Sequence, residues 1–127
     1  MGAKVLIVDD DELYARALAA RIEGSHASVR CDVISAPFQA IKALPGGWDL
    51  FIVDLEMPEL DGRKLRDLAV KMGVPPKRIV INSSHDADHL HETFNMGECL
   101  AVISKIDPNQ QAVLEMILDN LERRVQD

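Results

Sequence analysis

Long apolar runs are missing from this sequence. No stretch approaches the ~18 consecutive apolar residues that a membrane-spanning helix needs, and the start, Met1-Gly2-Ala3-Lys4, leads directly into Val5–Val8 and three aspartates. A secretory signal calls for a longer apolar stretch and a small-residue cleavage site, so none is read here. Leu6 stands where a myristoylation signal would place Ser or Thr. The expectation is a cytoplasmic protein with no membrane partner. Cysteine is scarce too: Cys31 and Cys99 are the only two, too few for a disulfide framework, and they read as small buried hydrophobes. Positive charge is in deficit, with 14 Lys and Arg against 21 Asp and Glu, a net charge of −7 and a pI near 5.0. That balance argues against the domain gripping a nucleic-acid backbone, which requires a basic face. It suits a site that gathers carboxylates around a hard cation. Repeats and low-complexity tracts are also absent.

What remains is an ordinary globular composition: 127 residues, 47% hydrophobic and 28% charged, the size of one domain with its own core. We therefore expect a single domain over residues 1–127. Short apolar runs alternate with amphipathic stretches about five times. The runs are Val5–Val8, the weaker Val29–Ile34, Leu50–Val53, Ile79–Ile81 and Leu100–Ile103. Continuous β-branched runs of this kind suit strands buried on both faces of a parallel sheet. Between them, Leu13, Ala17 and Ala20 recur at helical spacing up to Gly24. Pro37 opens a short segment carrying Phe38, Ile41 and Leu44, ended by Pro45-Gly46-Gly47. Leu65, Leu68, Ala69 and Met72 form a third stripe. A fourth, less apolar segment runs from Ser83-Ser84 to about Gly97. The fifth opens at Asp107-Pro108 and carries Leu114, Ile117, Leu118, Leu121 and Val125.

An α/β chain with this (βα)5 alternation implies a doubly wound five-stranded parallel sheet with right-handed crossovers, and 2-1-3-4-5 is the natural strand order. Ligands in such sheets bind at the carboxyl ends of the strands. The same order puts Cys31 and Cys99 at opposite edges, ~19 Å apart at about 4.8 Å per strand, too far for a disulfide.

Four strands end in polar residues: Asp9-Asp10, Asp54, Asn82-Ser83 and Ser104-Lys105. A parallel sheet gathers these on one edge. Three carboxylates crowded together repel and raise one another's pKa values, which a divalent cation relieves. Magnesium takes oxygen ligands and keeps several waters, and neither cysteine is placed to offer a thiolate. One carboxylate could then attack phosphorus, with the cation and Lys105 stabilising the transferring group and Ser83 donating to a phosphoryl oxygen. Plainer roles exist for each residue. Asp10 or Asp11 could cap the first helix, and Ser83 could cap the fourth with Asp86. The coincidence of all four strand ends favours chemistry.

The runs Val5-Leu6-Ile7-Val8-Asp9-Asp10-Asp11 and Phe51-Ile52-Val53-Asp54-Leu55-Glu56-Met57-Pro58, followed by Asp61-Gly62, resemble a response-regulator receiver domain of the CheY type, flavodoxin-like in fold, over the whole chain. The resemblance implies a two-component phosphorylation switch. Asp54 would accept a phosphoryl group from the phosphohistidine of a sensor histidine kinase or a histidine phosphotransfer protein. Mg2+ would be held by Asp9, Asp10, Asp54 and the backbone carbonyl of Glu56. Ser83 and Lys105 would bind the phosphoryl group. The fourth helix, fifth strand and fifth helix of the alternation would bind an unknown downstream protein or a second copy of the chain. Glu56 and His85, each two residues past a key position, would tune dephosphorylation. The chain would be a phosphoacceptor rather than an enzyme.

Three departures from the family pattern stand out. Val102 occupies a position that is often aromatic, Ile106 follows the lysine in place of proline so that a trans bond is expected there, and the stretch from Gly97 to Lys105 is about one residue longer. They keep open a pseudo-receiver that binds partners without phosphorylation. A magnesium phosphatase of the haloacid-dehalogenase kind would use Asp9 as nucleophile within Asp9-Asp10-Asp11, but such enzymes usually carry a cap insertion, missing here. A flavodoxin-like FMN binder would want amides and hydroxyls after the first strand, where this chain has acids. Among the remaining features, His85, His89 and His91 read as a solvated polar face, although His85 and His89 have a spacing that could share a metal. Glu122-Arg123-Arg124 reads as a solvated helix end and Trp48 as packing.

Overall fold

The computed structural model describes residues 2–84, 94–95 and 97–126. Strand β1 (Ala3–Val8) is followed by helix α1 (Glu12–Ser25), β2 (Val29–Ile34), α2 (Pro37–Ala43), β3 (Leu50–Asp54) and α3 (Gly62–Lys71). A 3-10 turn at Pro76–Arg78 leads into β4 (Ile79–Ser83), and the chain closes with β5 (Ala101–Ser104) and α4 (Pro108–Gln126). Helix α4 is the segment expected as the fifth helix. The expected fourth helical segment lies largely outside the described residues, as do His85, His89 and His91.

The five strands are all parallel, in the order β2-β1-β3-β4-β5, as the alternation predicts. Successive side chains point to opposite faces of a strand, and both faces of this sheet are covered. Val5, Ile7, Leu50, Ile52, Val80 and Ile103 pack with Ala15, Leu18 and Ile22 of α1 and Leu114, Leu118 and Leu121 of α4. Leu6, Val8, Phe51, Val53, Ile79 and Ile81 face the other way, onto Ala40 of α2, Leu44 at its C-cap, and Leu65 and Ala69 of α3. The central strands β3 and β4 are buried throughout and β1 nearly so, which is why they read as continuous apolar stretches, whereas the edge strand β2 exposes Arg30 and Asp32.

Helix α1, and single positions of α2 and α3, depart from expectation in which residues they bury. In α1 the buried residues are Ala15, Leu18 and Ile22; Leu13 is 83% exposed, and Ala17 and Ala20 are exposed as well. This helix is apolar on several sides, and the large side chains of Leu18 and Ile22 decide which side meets the sheet. In α2, Phe38 is exposed and Ala40 buried, and Met72 at the C-cap of α3 is exposed. The stripe expected on α4 is seated as predicted, with Leu114, Leu118 and Leu121 buried. Trp48 is buried and donates Nε1–H to the Ala43 carbonyl at 2.7 Å, a packing role.

The corner between α1 and β2 is tied to α4. His26 caps the C-terminus of α1, its backbone N–H donating to Ile22 O. Its buried ring lies 3.2 Å through Nδ1 from the Ile22 carbonyl and 2.7 Å through Nε2 from Asp119 Oδ1. Two residues on, Ser28 N–H donates to Glu122 Oε2 at 2.7 Å. Cys31, on the edge strand β2, and Cys99, just before the other edge strand β5, are both free thiols. No peptide bond among the described residues is cis, so the bond after Lys105 is trans.

Candidate functional site

The strand ends converge as the parallel order requires. Asp9 and Asp10 follow β1, Asp54 ends β3, Ser83 ends β4, and Lys105 follows β5. Carboxylate oxygens of Asp9, Asp10 and Asp54 lie within 4.8 Å of one another. Asp9 and Asp54 are buried, while Asp10 is exposed at the rim. Lys105 Nζ reaches into the cluster, 2.7 Å from Asp9 Oδ2 and 3.5 Å from Asp54 Oδ1.

Local structure explains how three consecutive aspartates divide their work. Asp11 is the N-cap of α1, its Oδ1 accepting from Tyr14 N–H at 3.0 Å, which satisfies one of the orphan donors of the first turn. Asp9 Oδ1 accepts from Asp11 N–H at 2.9 Å, which leaves Oδ2 for Lys105. The capping role weighed for Asp10 or Asp11 thus falls to Asp11 alone. After β3 the chain turns back on itself. Glu56 N–H donates to Asp54 Oδ1 at 3.3 Å, and Gly62 N–H donates to the Leu55 carbonyl at 2.9 Å. Asp61 caps α3 through Lys64 N–H at 2.9 Å. A side chain at Gly62 would press on the Asp54 carbonyl, and its Cβ would stand 2.8 Å from Leu55 Cα. Only glycine lets α3 begin this close to the strand end.

Burial pushes the Asp54 carboxyl up to about 8; Lys105 opposes the shift, and the neighbouring Asp9 charge and the Glu56 and Asp10 side chains add to it. Lys105 is displaced upward from its usual value: burial pulls it down, but the bond to Asp9 and the Asp54 charge outweigh this. The pocket thus holds more negative charge than one ammonium neutralises. Its donors are carboxylate oxygens, and no thiol is among them, a set that fits a hard divalent cation such as Mg2+ and not a soft one.

Ser83 donates its hydroxyl to Glu56 Oε1, so the strand-end hydroxyl is present but engaged. Of the other residues named from the sequence, Val102 is half-buried on β5, and His85 lies outside the described residues.

Two residues of the site carried no signal in the sequence. The ring of Tyr14, on the first turn of α1, lies 4.4 Å from Lys105 Nζ. Its hydroxyl accepts from Asn82 Nδ2 at 2.9 Å, while Gln111 Nε2 of α4 lies 3.4 Å from Asn82 Oδ1 and donates to Ser104 O at 2.9 Å.

Comparison with known proteins agrees with this architecture. A curated methylesterase, protein-glutamate methylesterase/protein-glutamine glutaminase 2 of Chromobacterium violaceum, is 33% identical over 85 residues, covering 66% of this chain and 23% of the relative. Histidine kinase 3 of Arabidopsis thaliana is 33% identical over 100 residues, covering 71% of this chain and 10% of the kinase. The chain therefore spans about a quarter or less of these relatives. Among solved structures, the response regulator TrrA of Thermotoga maritima, in complex with Mg2+ and BeF, superposes with a TM-score of 0.75 at 21% identity, covering 91% of this chain and 96% of that one. The family model for the response regulator receiver domain matches residues 5–117, and the chain belongs to that family of two-component signalling.

Proposed function

We propose that the chain is a single phosphoacceptor unit in which Asp54 takes a phosphoryl group from the phosphohistidine of a sensor histidine kinase or a histidine phosphotransfer protein. The observation that carries this reading is the meeting of three carboxylates, drawn from two separated strand ends, with the Lys105 ammonium. Asp9, Asp10, Asp54 and the carbonyl of Glu56 would hold Mg2+, which supplies positive charge against the oxygens of the transferring group and favours ionised Asp54. The TrrA structure, which contains Mg2+ and BeF, supports that assignment by analogy.

The chain's own residues then divide the work. An Asp54 carboxylate oxygen attacks phosphorus, the phosphorus–nitrogen bond of the donor breaks, and the electron pair leaves with the imidazole. Ionised Asp54 is needed, and Lys105 favours it. Lys105 presents a point charge to the same oxygens, and Ser83 gives up Glu56 to donate to one of them. Glu56, together with His85 outside the described residues, is proposed to tune the lifetime of the acyl phosphate. The change in charge at Asp54 biases a two-state equilibrium. The proposed readout surface is the fourth helical segment with β5 and α4; of these β5 and α4 lie among the described residues, and Val113 and Met116 of α4 are exposed for a downstream protein or a second copy.

The test is incubation with acetyl phosphate and Mg2+, followed by intact-protein mass spectrometry, with Asp54→Asn beside the wild type. Addition of one phosphoryl group to the wild type alone is expected. No addition would leave a protein that binds partners without phosphorylation. Steady phosphate release that depends on Asp9 and survives Asp54→Asn would make it a phosphatase instead.

A further inference from the structure

A lysine that must present its charge at one point has four rotatable bonds and a strongly hydrated head group to control. In this pocket Asp9 and Asp54 fix two sides of the Lys105 ammonium. The third is covered by the Tyr14 ring at 4.4 Å from Nζ, a distance at which an aromatic face attracts a cation. The residue is itself held at its backbone and at the far end of its ring. Tyr14 N–H is bound to the Asp11 cap at 3.0 Å, and the hydroxyl accepts from Asn82 Nδ2 at 2.9 Å. Asn82 is the residue of β4 in register with Asp54, so the anchor of the ring sits on the strand beside the phosphoacceptor. Helix α1 is thereby registered against the pocket by its first turn.

We propose that Tyr14 is a positioning residue for the phosphoryl-transfer site: its ring face holds the Lys105 ammonium between Asp9 and Asp54, and the Asn82 amide holds the ring. The proposal rests on the phosphoacceptor reading above for its consequence, but the placement of Lys105 can be read without any phosphorylation. The ring does the work and the hydroxyl only anchors it, so Tyr14→Phe and Tyr14→Leu separate the two.

Two measurements decide it. Proton NMR of the Lys105 ε-methylene group should show an upfield ring-current shift in the wild type and in Tyr14→Phe, and an ordinary position in Tyr14→Leu. With acetyl phosphate and Mg2+, Tyr14→Leu should lower the maximal rate of Asp54 phosphorylation ~3- to 30-fold, the range spanned by cation–π energies. The acetyl phosphate concentration giving half that rate should hardly move, and Tyr14→Phe should stay within about threefold of the wild type. In a Lys105→Ala background, Tyr14→Leu should cost nothing more. The proposal is overturned if the Lys105 resonances are the same with and without the ring, if Tyr14→Phe loses as much rate as Tyr14→Leu, or if the loss persists without Lys105. Should Tyr14→Leu not fold, Tyr14→Met serves the same comparisons. A wild type that accepts no phosphoryl group refutes the phosphoacceptor reading, and the NMR comparison alone then decides the placement.

Discussion

The hydroxyl of Ser83 is hydrogen-bonded to the Glu56 carboxylate, so the group proposed to meet a phosphoryl oxygen is occupied by an acid from the loop after β3. A phosphoryl group must displace that acid. Hydrogen bonds to charged partners contribute ~1.5–3 kcal/mol net, and an extra carboxylate beside a dianion is repulsive. Glu56→Ala is therefore expected to bind fluoroberyllate with Mg2+ about tenfold more tightly than the wild type. The Glu56 backbone carbonyl, the proposed metal ligand, is unchanged by the substitution. Titration followed by tryptophan fluorescence or calorimetry checks this, and equal or weaker binding would remove the competition. The lifetime of the aspartyl phosphate in Glu56→Ala and His85→Ala tests their part in dephosphorylation; unchanged lifetimes in both would discard it.

The raised pKa of Asp54 has a thermodynamic consequence in the absence of metal. The unfolded chain releases this proton well below the folded value, so the raised carboxyl costs stability that grows as pH climbs from the ordinary carboxylate range towards about 8, and Asp54→Asn should stabilise the metal-free protein more at about pH 7 than at about pH 4. Mg2+ should stabilise the wild type by ~2.7 kcal/mol at a hundred times its dissociation constant and Asp54→Asn by much less. Asp10 is exposed, so Asp10→Asn should change metal-free stability by under ~0.5 kcal/mol yet lose most of the Mg2+ increment. Thermal melts with Mg2+ and with chelator separate these cases. A Mg2+ increment that survives in Asp10→Asn would argue against Asp10 as a ligand.

His26 gives the fold a pH dependence of its own. Its Nδ1 faces the Ile22 carbonyl and its Nε2 faces the Asp119 carboxylate. Both partners accept, so only the doubly protonated ring satisfies the two at once. Burial disfavours that charge, but Asp119, the Ile22 carbonyl and Glu115 outweigh it and raise the pKa above 6.5. A raised folded-state value means the stabilisation is complete below the ordinary histidine pKa and fades as pH climbs through the folded one. The Asp119 side chain is 62% exposed, and solvent screening keeps the effect to ~1 kcal/mol. Urea unfolding of wild type and His26→Gln should differ more at about pH 6 than at about pH 9. A difference independent of pH would mean that the ring acts only by packing.

Gly62 is a place where one methyl group reports on the site. The Cβ of Gly62→Ala would meet the Asp54 carbonyl and Leu55 Cα, and backbone cannot yield as a flexible side chain can. A loss of ~1–3 kcal/mol, the usual range for overpacking, should accompany slower phosphorylation, because the displaced loop carries Glu56. A variant with wild-type melting temperature and wild-type rate would show that the loop relaxes freely.

Much of this was legible in the sequence because burial on both faces writes strands as unbroken apolar runs, and because a parallel sheet collects whatever follows them. Asp9, Asp54, Ser83 and Lys105 each announce themselves by ending such a run. Tyr14 does not: it sits in the first turn of a helix among Leu13, Ala15 and Leu18, and its hydroxyl partner is 68 residues away. His26 is equally silent, since its carboxylate lies 93 residues along the chain. The buried side of α1 is not legible in the sequence for a related reason. With apolar residues on several sides, periodicity does not choose a face, and the choice comes from how Leu18 and Ile22 meet the sheet.

The backbone N–H of Lys105 donates to the Ser83 carbonyl at 2.7 Å, one step past the register pair Ser83 and Ser104. Hydroxyl and ammonium are thus mounted like two jaws on one frame, locked together at their bases. Neither can slide lengthwise without dragging the other. A pocket built this way adjusts its grip by swivelling side chains, with the sheet beneath it acting as an anvil rather than a hinge.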